Sequence, residues 1–345
     1  MGQVNAEIMP GIIGLGHTMC DINAEVDADS WDKLQAFLRW ENTETPHHVS
    51  GEESRKIVSY LLELVQDNNS ISYNAGGSAL NAIRVSSWLG SPAAMYGCVS
   101  ADVYGNIVRE GLRASAVRDM LMLGTEKDDS TGIFCTVRRV DSGDTSVSSR
   151  KLVIASPASA RRIREIDLNS IVLSGARFLH TEGLLADVPQ FLEGLIHRCK
   201  IAGTSASIDL VSAEFVGRHR AALIHAIDEG IDIVFCTKRE FEALECDPRR
   251  MSERVTWIIK ANRDGVDCRS DGHWYHVDAP QCRIVDDTGA GDAFAGAFLT
   301  ARIADKNVPQ CLEIASASAG CALGMVGPSP ERTCIESLRR AFLAD

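Results

Sequence analysis

No stretch of this 345-residue chain approaches the run of about eighteen apolar residues that a membrane-spanning helix needs. Nor does its start join a basic segment to an apolar one, as a secretory leader would, so a soluble, cytoplasmic protein is expected. Positive charge is also short: 35 Lys and Arg face 47 Asp and Glu, leaving a formal net charge of −12. With no basic surplus to neutralise phosphates, neither nucleic acid nor an anionic membrane is expected as a partner. Clusters such as Arg161-Arg162-Ile163-Arg164 then read as solvated helix surface. The eleven cysteines are odd in number and contain no C-x-x-C pair. Buried reduced thiols are expected rather than a disulfide framework or a zinc site. His47 and His48 are adjacent but lack Cys or acidic partners at ligand spacing, so no metal site is expected there. The P-loop pattern G-x-x-x-x-G-K-[ST] is missing, which excludes that phosphate cradle.

What the chain does have is an alternation of short apolar runs with longer amphipathic stretches, the pattern of a doubly wound, mostly parallel α/β sheet. Candidate core strands are Ile12–Leu15, Ala93–Cys98, Phe178–Glu182, Ser207–Leu210, Ile233–Cys236 and Thr256–Lys260. Val188–Ala202 is expected to be a helix that stops at Gly203, and Leu312–Leu323 a second one whose small residues allow close packing. Two stretches break the rhythm. One is the polar segment 22–51; the other is 132–154, where two strand-like runs flank the turn signal Asp141-Ser142-Gly143-Asp144. Strands without an intervening helix do not belong to a doubly wound core. They are expected to form a small β lid, the alternative being an ordinary edge hairpin. The large core would then hold residues 1–21, 52–131 and 155–345, and the lid 22–51 and 132–154.

Three glycine-rich stretches carry candidate chemistry. Gly14-Leu15-Gly16 follows a strand, but Met19 stands where a dinucleotide fingerprint needs its third glycine, so a dehydrogenase reading is weak. Gly76-Gly77-Ser78 opens a helical pattern with Asn81 on its first turn, where an amide can both donate to and accept from hydroxyl groups. The plainer alternative is a loop-to-helix junction capped by Ser78. The third stretch, Asp286-Asp287-Thr288-Gly289-Ala290-Gly291-Asp292, places acids on both sides of a turn of small residues that precedes an apolar helix. A bare turn at a helix N-terminus presents unpaired N–H groups and positive potential to an anion, most often a phosphate. An acid beside such a site suits proton abstraction, and the helix end is expected to keep Asp292 ionised.

That last stretch closely resembles the D-T-x-G-A-G-D signature of the ribokinase-like (PfkB) sugar and nucleoside kinases. The resemblance covers nearly the whole chain, with Gly14–His17 and Asp21, then Gly76-Gly77 and Asn81, then Thr237-Lys238-Arg239-Glu240, then the signature, in the family's order. It implies a ribokinase-like fold and an ATP-dependent phosphotransferase. By this resemblance Asp292 is the catalytic base, and the amides of Gly289, Ala290 and Gly291 form the anion hole. His17, Asp21, Gly76, Gly77, Ser78 and Asn81 belong to the acceptor site. Thr237, Glu240, Lys260, Asn262 and Gly265 border the nucleotide, with Mg2+ organised indirectly through Glu240. Asp286 and Gly327 lie at a monovalent-cation site, with K+ the ion of interest, and the stretch 315–327 borders adenine. The chain departs from the family pattern in having Thr237 for Asn, Asp287 for Thr, Asn262 for Gly, and His17 where adenosine kinases place Asn. A basic residue common in the lid hairpin is replaced near Thr145.

Within the family, the long insertion between Asp21 and Gly76 and the stretch from Gly76 to Trp88 resemble the adenosine kinase branch. The favoured expectation is phosphorylation of adenosine to AMP. A sugar kinase acting on a ribose- or fructose-like substrate, another nucleoside kinase, and a catalytically weakened binder remain open. Phe134, Trp40 and Phe178 are the aromatics available to stack on a base, each equally able to pack in core or lid. The expected partners are ATP and a nucleoside or sugar, and the chain is either a monomer or a lid-mediated homodimer.

Overall fold

The computed structural model describes residues 9–40, 46–65, 71–124, 130–140, 150–246 and 252–343. The chain enters a large sheet as β1 (Ile12–Leu15) and crosses at once into a small one as β2 (Met19–Val26). After α1 (Ala28–Leu38), β3 (His47–His48) and α2 (Gly51–Leu64), β4 (Ile71–Gly76) pairs antiparallel with β2, and α3 (Ser78–Trp88) packs back against β1. Next come β5 (Ala93–Tyr96), β6 (Cys98–Val99), α4 (Val103–Ala114), β7 (Val117–Asp119) and β8 (Met122–Leu123). The small sheet then gains β9 (Gly132–Arg139) and β10 (Lys151–Ser156). From β11 (Phe178–Glu182) the order is regular, through α5 (Pro189–Ala202), β12 (Ser205–Asp209), α6 (Ala213–Gly230), β13 (Ile231–Thr237), α7 (Lys238–Ala243) and β14 (Thr256–Lys260). The hairpin of β15 (Val266–Ser270) and β16 (His273–Val277) precedes α8 (Ala290–Ile303), α9 (Val308–Leu323) and α10 (Arg332–Leu338).

The large sheet has nine strands in the order β16-β15-β14-β13-β12-β11-β1-β5-β7. Every pair from β14 to β7 is parallel, and only the β14–β15 and β15–β16 pairs are antiparallel. Alternation along β1 shows why the sequence folds this way. Ile12 packs in one apolar cluster with Ile83, Phe294 and Phe298, while Ile13 and Leu15 pack in another with Leu192, Leu195 and Leu223. A strand covered by helices on both faces must be apolar throughout, and β1 is fully buried. The expected α/β architecture with a small separate sheet is what the chain adopts. The expected Ala93–Cys98 strand divides, because Cys98 and Val99 leave the large sheet to pair with β8. α5 ends at Gly203 in the left-handed region, as expected.

The small sheet has five strands in the order β3-β10-β9-β2-β4. β9 and β10 pair with each other, and β9 with β2, so they belong to a sheet of their own rather than to an edge of the large one. The boundary placed at residue 52 needs correcting, because β4 also lies in this sheet. The turn signal 141–144, Thr145 and residues up to 149 lie outside the described residues. A second correction concerns cysteine. Cys321, near the end of α9, and Cys334 in α10 form a disulfide with their Cα atoms 6.0 Å apart. Their separation along the chain carries no signature; α10 folding back on α9 brings them together. Most of the other cysteines are buried. Among the described residues no helix is long and apolar enough to cross a membrane.

One contact positions the site. α3 and α8 cross so closely that a Cβ on Gly296 would lie 2.1 Å from the Ala82 carbonyl oxygen. Any side chain there would force the helices apart, and with them the groups at their N-termini.

Candidate active site

Glu182, Asp209, Thr237 and Lys260 are the last residues of β11, β12, β13 and β14, four neighbouring parallel strands. His17 follows β1 on the same edge. The carboxyl ends of such strands are where α/β sheets bind ligands. Glu182 and Asp209 are absent from the sequence-derived set, although each ends an apolar strand with an acid, which was the available signal. The His17 ring is engaged by Glu182, and the same carboxylate oxygen accepts the His17 backbone N–H at 2.8 Å.

The turn before α8 is shaped by Gly289, the N-cap, at φ 76°. A Cβ there would meet the Pro328 carbonyl oxygen at 2.3 Å as well as strain the left-handed backbone. Among the described residues the amides of Gly289 and Gly291 donate to no protein acceptor, whereas the Ala290 amide donates to the Asp287 carbonyl at 3.3 Å. The expectation of three open amides is therefore corrected to two, because the turn uses one to close itself. Lys260 stands beside them: a Cβ on Gly291 would lie 2.9 Å from its Nζ. Its ammonium donates to Asp209 at 2.7 Å. Burial opposes the charge on Lys260, yet the carboxylates of Asp209 and Glu240 raise its pKa.

Across the α3–α8 crossing, Asp292 accepts from the Ser78 hydroxyl at 2.8 Å and from the Asn81 amide at 2.9 Å. Ser78 is thus not the helix cap; Gly77 holds that place with no side-chain bond. The buried Arg84 guanidinium donates to the Asn81 side-chain oxygen and to the Ala75 carbonyl, which fixes the amide's orientation toward Asp292. Asp292 does not titrate as the helix end alone suggests. Burial first, then the charge of Asp209, raises its pKa to about 6 against the opposing bonds from Asn81 and Ser78. It is still mostly ionised at neutral pH, and is poised rather than fixed. Burial pushes Asp21 to about 7, with Arg84 opposing and Asp292 adding to the rise. Gly76 lets Asp21 approach, since a Cβ there would lie 2.0 Å from Asp21 Oδ2. Phe134 is the β9 partner of Asp21 and shares its face of the small sheet, half-buried. Of the other aromatics, Phe178 is buried at the start of β11 and Trp40 stacks on His47 with ring centroids 4.0 Å apart.

A cavity of about 1190 Å3 opens beside this cluster, lined by Thr237, Lys260, Asn262, Gly265 and Gly291, with Ser316 and Ala319 of α9 on its wall. Asn262, which replaces the family's glycine, has φ 56°, and Asn is among the side chains that best tolerate that region. Thr237 and Glu240 form a capping box at the start of α7, Glu240 accepting the Thr237 N–H at 2.7 Å. Burial and the nearby Asp209 raise the Glu240 pKa. Among the described residues no three His, Cys, Asp or Glu side chains gather as a metal cluster.

Residues 52–333 match the profile of the pfkB family carbohydrate kinases. The chain belongs to that family. As a pfkB-family protein it is a phosphotransferase with an alcohol group as acceptor. It is 23% identical to adenosine kinase 1 of Arabidopsis thaliana over 336 residues, which covers 90% of this chain and 91% of that protein. It is 22% identical to the 2-dehydro-3-deoxygluconokinase of Thermoproteus tenax, over 78% of this chain and 86% of the relative. Its fold superposes on the solved adenosine kinase of Sinorhizobium meliloti with a TM-score of 0.78 at 20% identity, covering 97% of this chain and all of that one.

Asp286 opens the pfkB signature and is the most heavily bonded acid of the turn. The Gly327 N–H donates to it at 2.9 Å and the Thr288 hydroxyl at 2.8 Å. From the small sheet, Arg138 forms an ion pair with one of its oxygens, and Lys151 stands 3.7 Å from the other. Burial works to raise its pKa, but these partners together hold it at about 2.

Proposed function

We propose that this pfkB-family enzyme transfers the γ-phosphoryl group of ATP to the primary hydroxyl of a nucleoside, adenosine foremost. The observation that carries the nucleoside reading is Phe134, whose ring shares a face of the small sheet with Asp21 and gives a flat base something to stack on while Asp21 engages hydroxyls. In this reading Asp292 takes the proton of the acceptor hydroxyl. The acceptor oxygen bonds to the γ-phosphorus, the bond from that phosphorus to its bridging oxygen breaks, and ADP leaves. Asn81 and Ser78 hold Asp292 in place, and its pKa of about 6 leaves it ionised yet basic enough to accept the proton. Negative charge on the transferring group would meet the open amides of Gly289 and Gly291 and the ammonium of Lys260, donors already fixed before the reaction. His17, Gly76 and Gly77 would complete the acceptor site, with Thr237, Asn262 and Gly265 around the phosphates and α9 beside adenine.

Asp209 and Glu240 are two interacting carboxylates with one lysine between their charges, which leaves negative charge for a cation to balance. They suit Mg2+, which is commonly held by one or two carboxylates together with substrate phosphates and water. Bound there, the ion would neutralise the β- and γ-phosphates. A sugar-kinase reading has its own support in the His17–Glu182 pair, a polar couple where adenosine kinases place Asn. ADP release with adenosine, ribose, fructose and 2-dehydro-3-deoxygluconate as acceptors separates the readings. Adenosine should give the highest kcat/KM and a 5′-monophosphate product. A higher value for a sugar would replace the nucleoside reading, and tight adenosine binding without ADP formation would make the chain a binder.

A further inference from the structure

The family resemblance puts a monovalent cation at Asp286 and Gly327, and the residues found there do not fit one. Such an ion needs a carboxylate with charge to spare and oxygens that face it. The Asp286 carboxylate is already matched by two cationic side chains, Arg138 in direct contact and Lys151 at 3.7 Å. Gly327 donates its N–H to Asp286 and so fills one of the acceptor positions that a cation would need. The remaining lone pairs are taken by the Thr288 hydroxyl at 2.8 Å and, more weakly, the Thr288 amide at 3.3 Å. Lys151 donates in addition to the Thr288 hydroxyl oxygen at 3.2 Å, so ammonium, hydroxyl and carboxylate form one connected group. Arg138 is 15% exposed and Asp286 4% exposed at the side chain, a degree of burial at which removing either partner would leave an uncompensated charge.

We infer that Arg138, assisted by Lys151, is a built-in replacement for the monovalent cation, so that this enzyme works without K+. Through Asp286 the two side chains brace the turn. The Asp286 carboxylate bonds Thr288, the residue before Gly289, whose open amide begins α8. A neutral or missing partner would leave that carboxylate free to reorient and the turn with it. Arg138 is therefore a positioning residue, and it ties β9 of the small sheet to the anion-binding turn of the large one. A guanidinium forms directed hydrogen bonds that a spherical ion cannot, and it cannot dissociate into solvent.

The inference assumes the kinase reading only for its rate measurements, so a second readout is independent of turnover. Purified full-length protein is assayed with ATP and whichever acceptor it phosphorylates, in KCl, NaCl or tetramethylammonium chloride at equal ionic strength. Its thermal unfolding midpoint is followed in the same salts without substrate. The wild type should give the same kcat and the same midpoint in all three. Arg138→Ala should lose about tenfold in kcat in tetramethylammonium chloride, with KM for ATP little changed, and recover most of it in KCl. Its midpoint should rise with KCl, and Arg138→Lys should need less potassium than Arg138→Ala. A wild type activated several-fold by K+, or stabilised by it over tetramethylammonium, would overturn the inference even if Arg138→Ala failed to fold. A higher KM for ATP in Arg138→Ala without a potassium requirement would overturn it too, because Arg138 would then be a phosphate ligand. If no acceptor is turned over, the proposed substrate fails, while the midpoints still decide the question of the cation.

Discussion

Asp286 and Asp292 sit on the same turn, are both taken out of water, and titrate in opposite directions, the first to about 2 and the second to about 6. Burial is the leading influence on each and raises both. What separates them is the company. Asp286 has a guanidinium in contact and an ammonium close by, besides the Thr288 hydroxyl of its own turn and the Gly327 amide from beyond α9. Asp292 has two neutral donors in contact, a lysine whose ammonium is committed to Asp209, and the negative charge of Asp209 itself. The Gly327 and Thr288 donors, with the two cations added, together outweigh burial at Asp286; the two neutral donors of Asp292 do not outweigh its burial and the charge of Asp209. The turn therefore carries one carboxylate with a locked charge, suited to holding structure, and one whose proton can come and go, suited to chemistry.

The widest gap between the two should appear when each is made neutral. Asp292→Asn keeps the side chain's shape and removes the proton acceptor, so kcat should fall by roughly 10²–10⁴-fold. Affinity for a non-hydrolysable ATP analogue, measured by titration calorimetry, should stay within a few-fold of the wild type. A loss smaller than about tenfold in kcat would deny Asp292 the role of base. Asp286→Asn should act on stability first. It strands Arg138 and Lys151 beside a neutral amide and should lower the unfolding free energy by about 2 kcal/mol, read from urea midpoints. The sign with pH follows from a folded pKa below the unfolded one. The Asp286 contribution is complete above about 4 and disappears as pH falls toward about 2. The mutant and wild-type stabilities should thus converge in strong acid and differ fully at neutral pH.

The same contrast predicts the pH profile. The acid limb of kcat/KM should lie between about 6 and 7, where Asp292 and its neighbour Asp21 titrate as an interacting pair. Activity falls on the acid side because the base becomes protonated. Asp286 contributes nothing to that limb, having lost its proton far below it. A limb near 4 would mean that Asp292 is as acidic as an exposed carboxylate and that its burial has no catalytic consequence.

Much of the scaffold behind this comparison is legible in the amino-acid sequence. β1, β11 and β14 match the apolar runs to the residue, and the bare turn with its flanking acids stands, as expected, at the N-terminus of a helix. What stayed hidden depends on partners distant in the chain. Arg138 lies 148 residues from Asp286 and Asp209 lies 51 from Lys260, separations that no periodicity encodes. β4 is missing from the candidate strands, and its place in the small sheet is chosen by pairing with β2 rather than by its own residues. The Ala290 amide is closed by its own turn, a detail set by backbone angles that small side chains leave open. Asp292 stays mostly ionised at neutral pH, as expected, but its raised pKa was hidden for the same reason, since the helix end is local and visible while burial and the charge of Asp209 arrive with the fold.

Asp209 is also the residue through which the contrast can be narrowed by the smallest step. It acts on Asp292 twice, by its own negative charge and by holding the Lys260 ammonium to itself at 2.7 Å. Asp209→Asn removes the repulsion and loosens the lysine, and both changes favour the charged form of Asp292. The acid limb of kcat/KM should therefore move down by about half a pH unit, toward but not reaching the behaviour of Asp286. Absolute rates will also fall if Asp209 shares in holding Mg2+, so the position of the limb, not its height, is the quantity to measure. An unmoved limb would leave burial as the sole cause of the raised pKa, and an upward shift would mean that Lys260 screens Asp292 only while Asp209 keeps it in place.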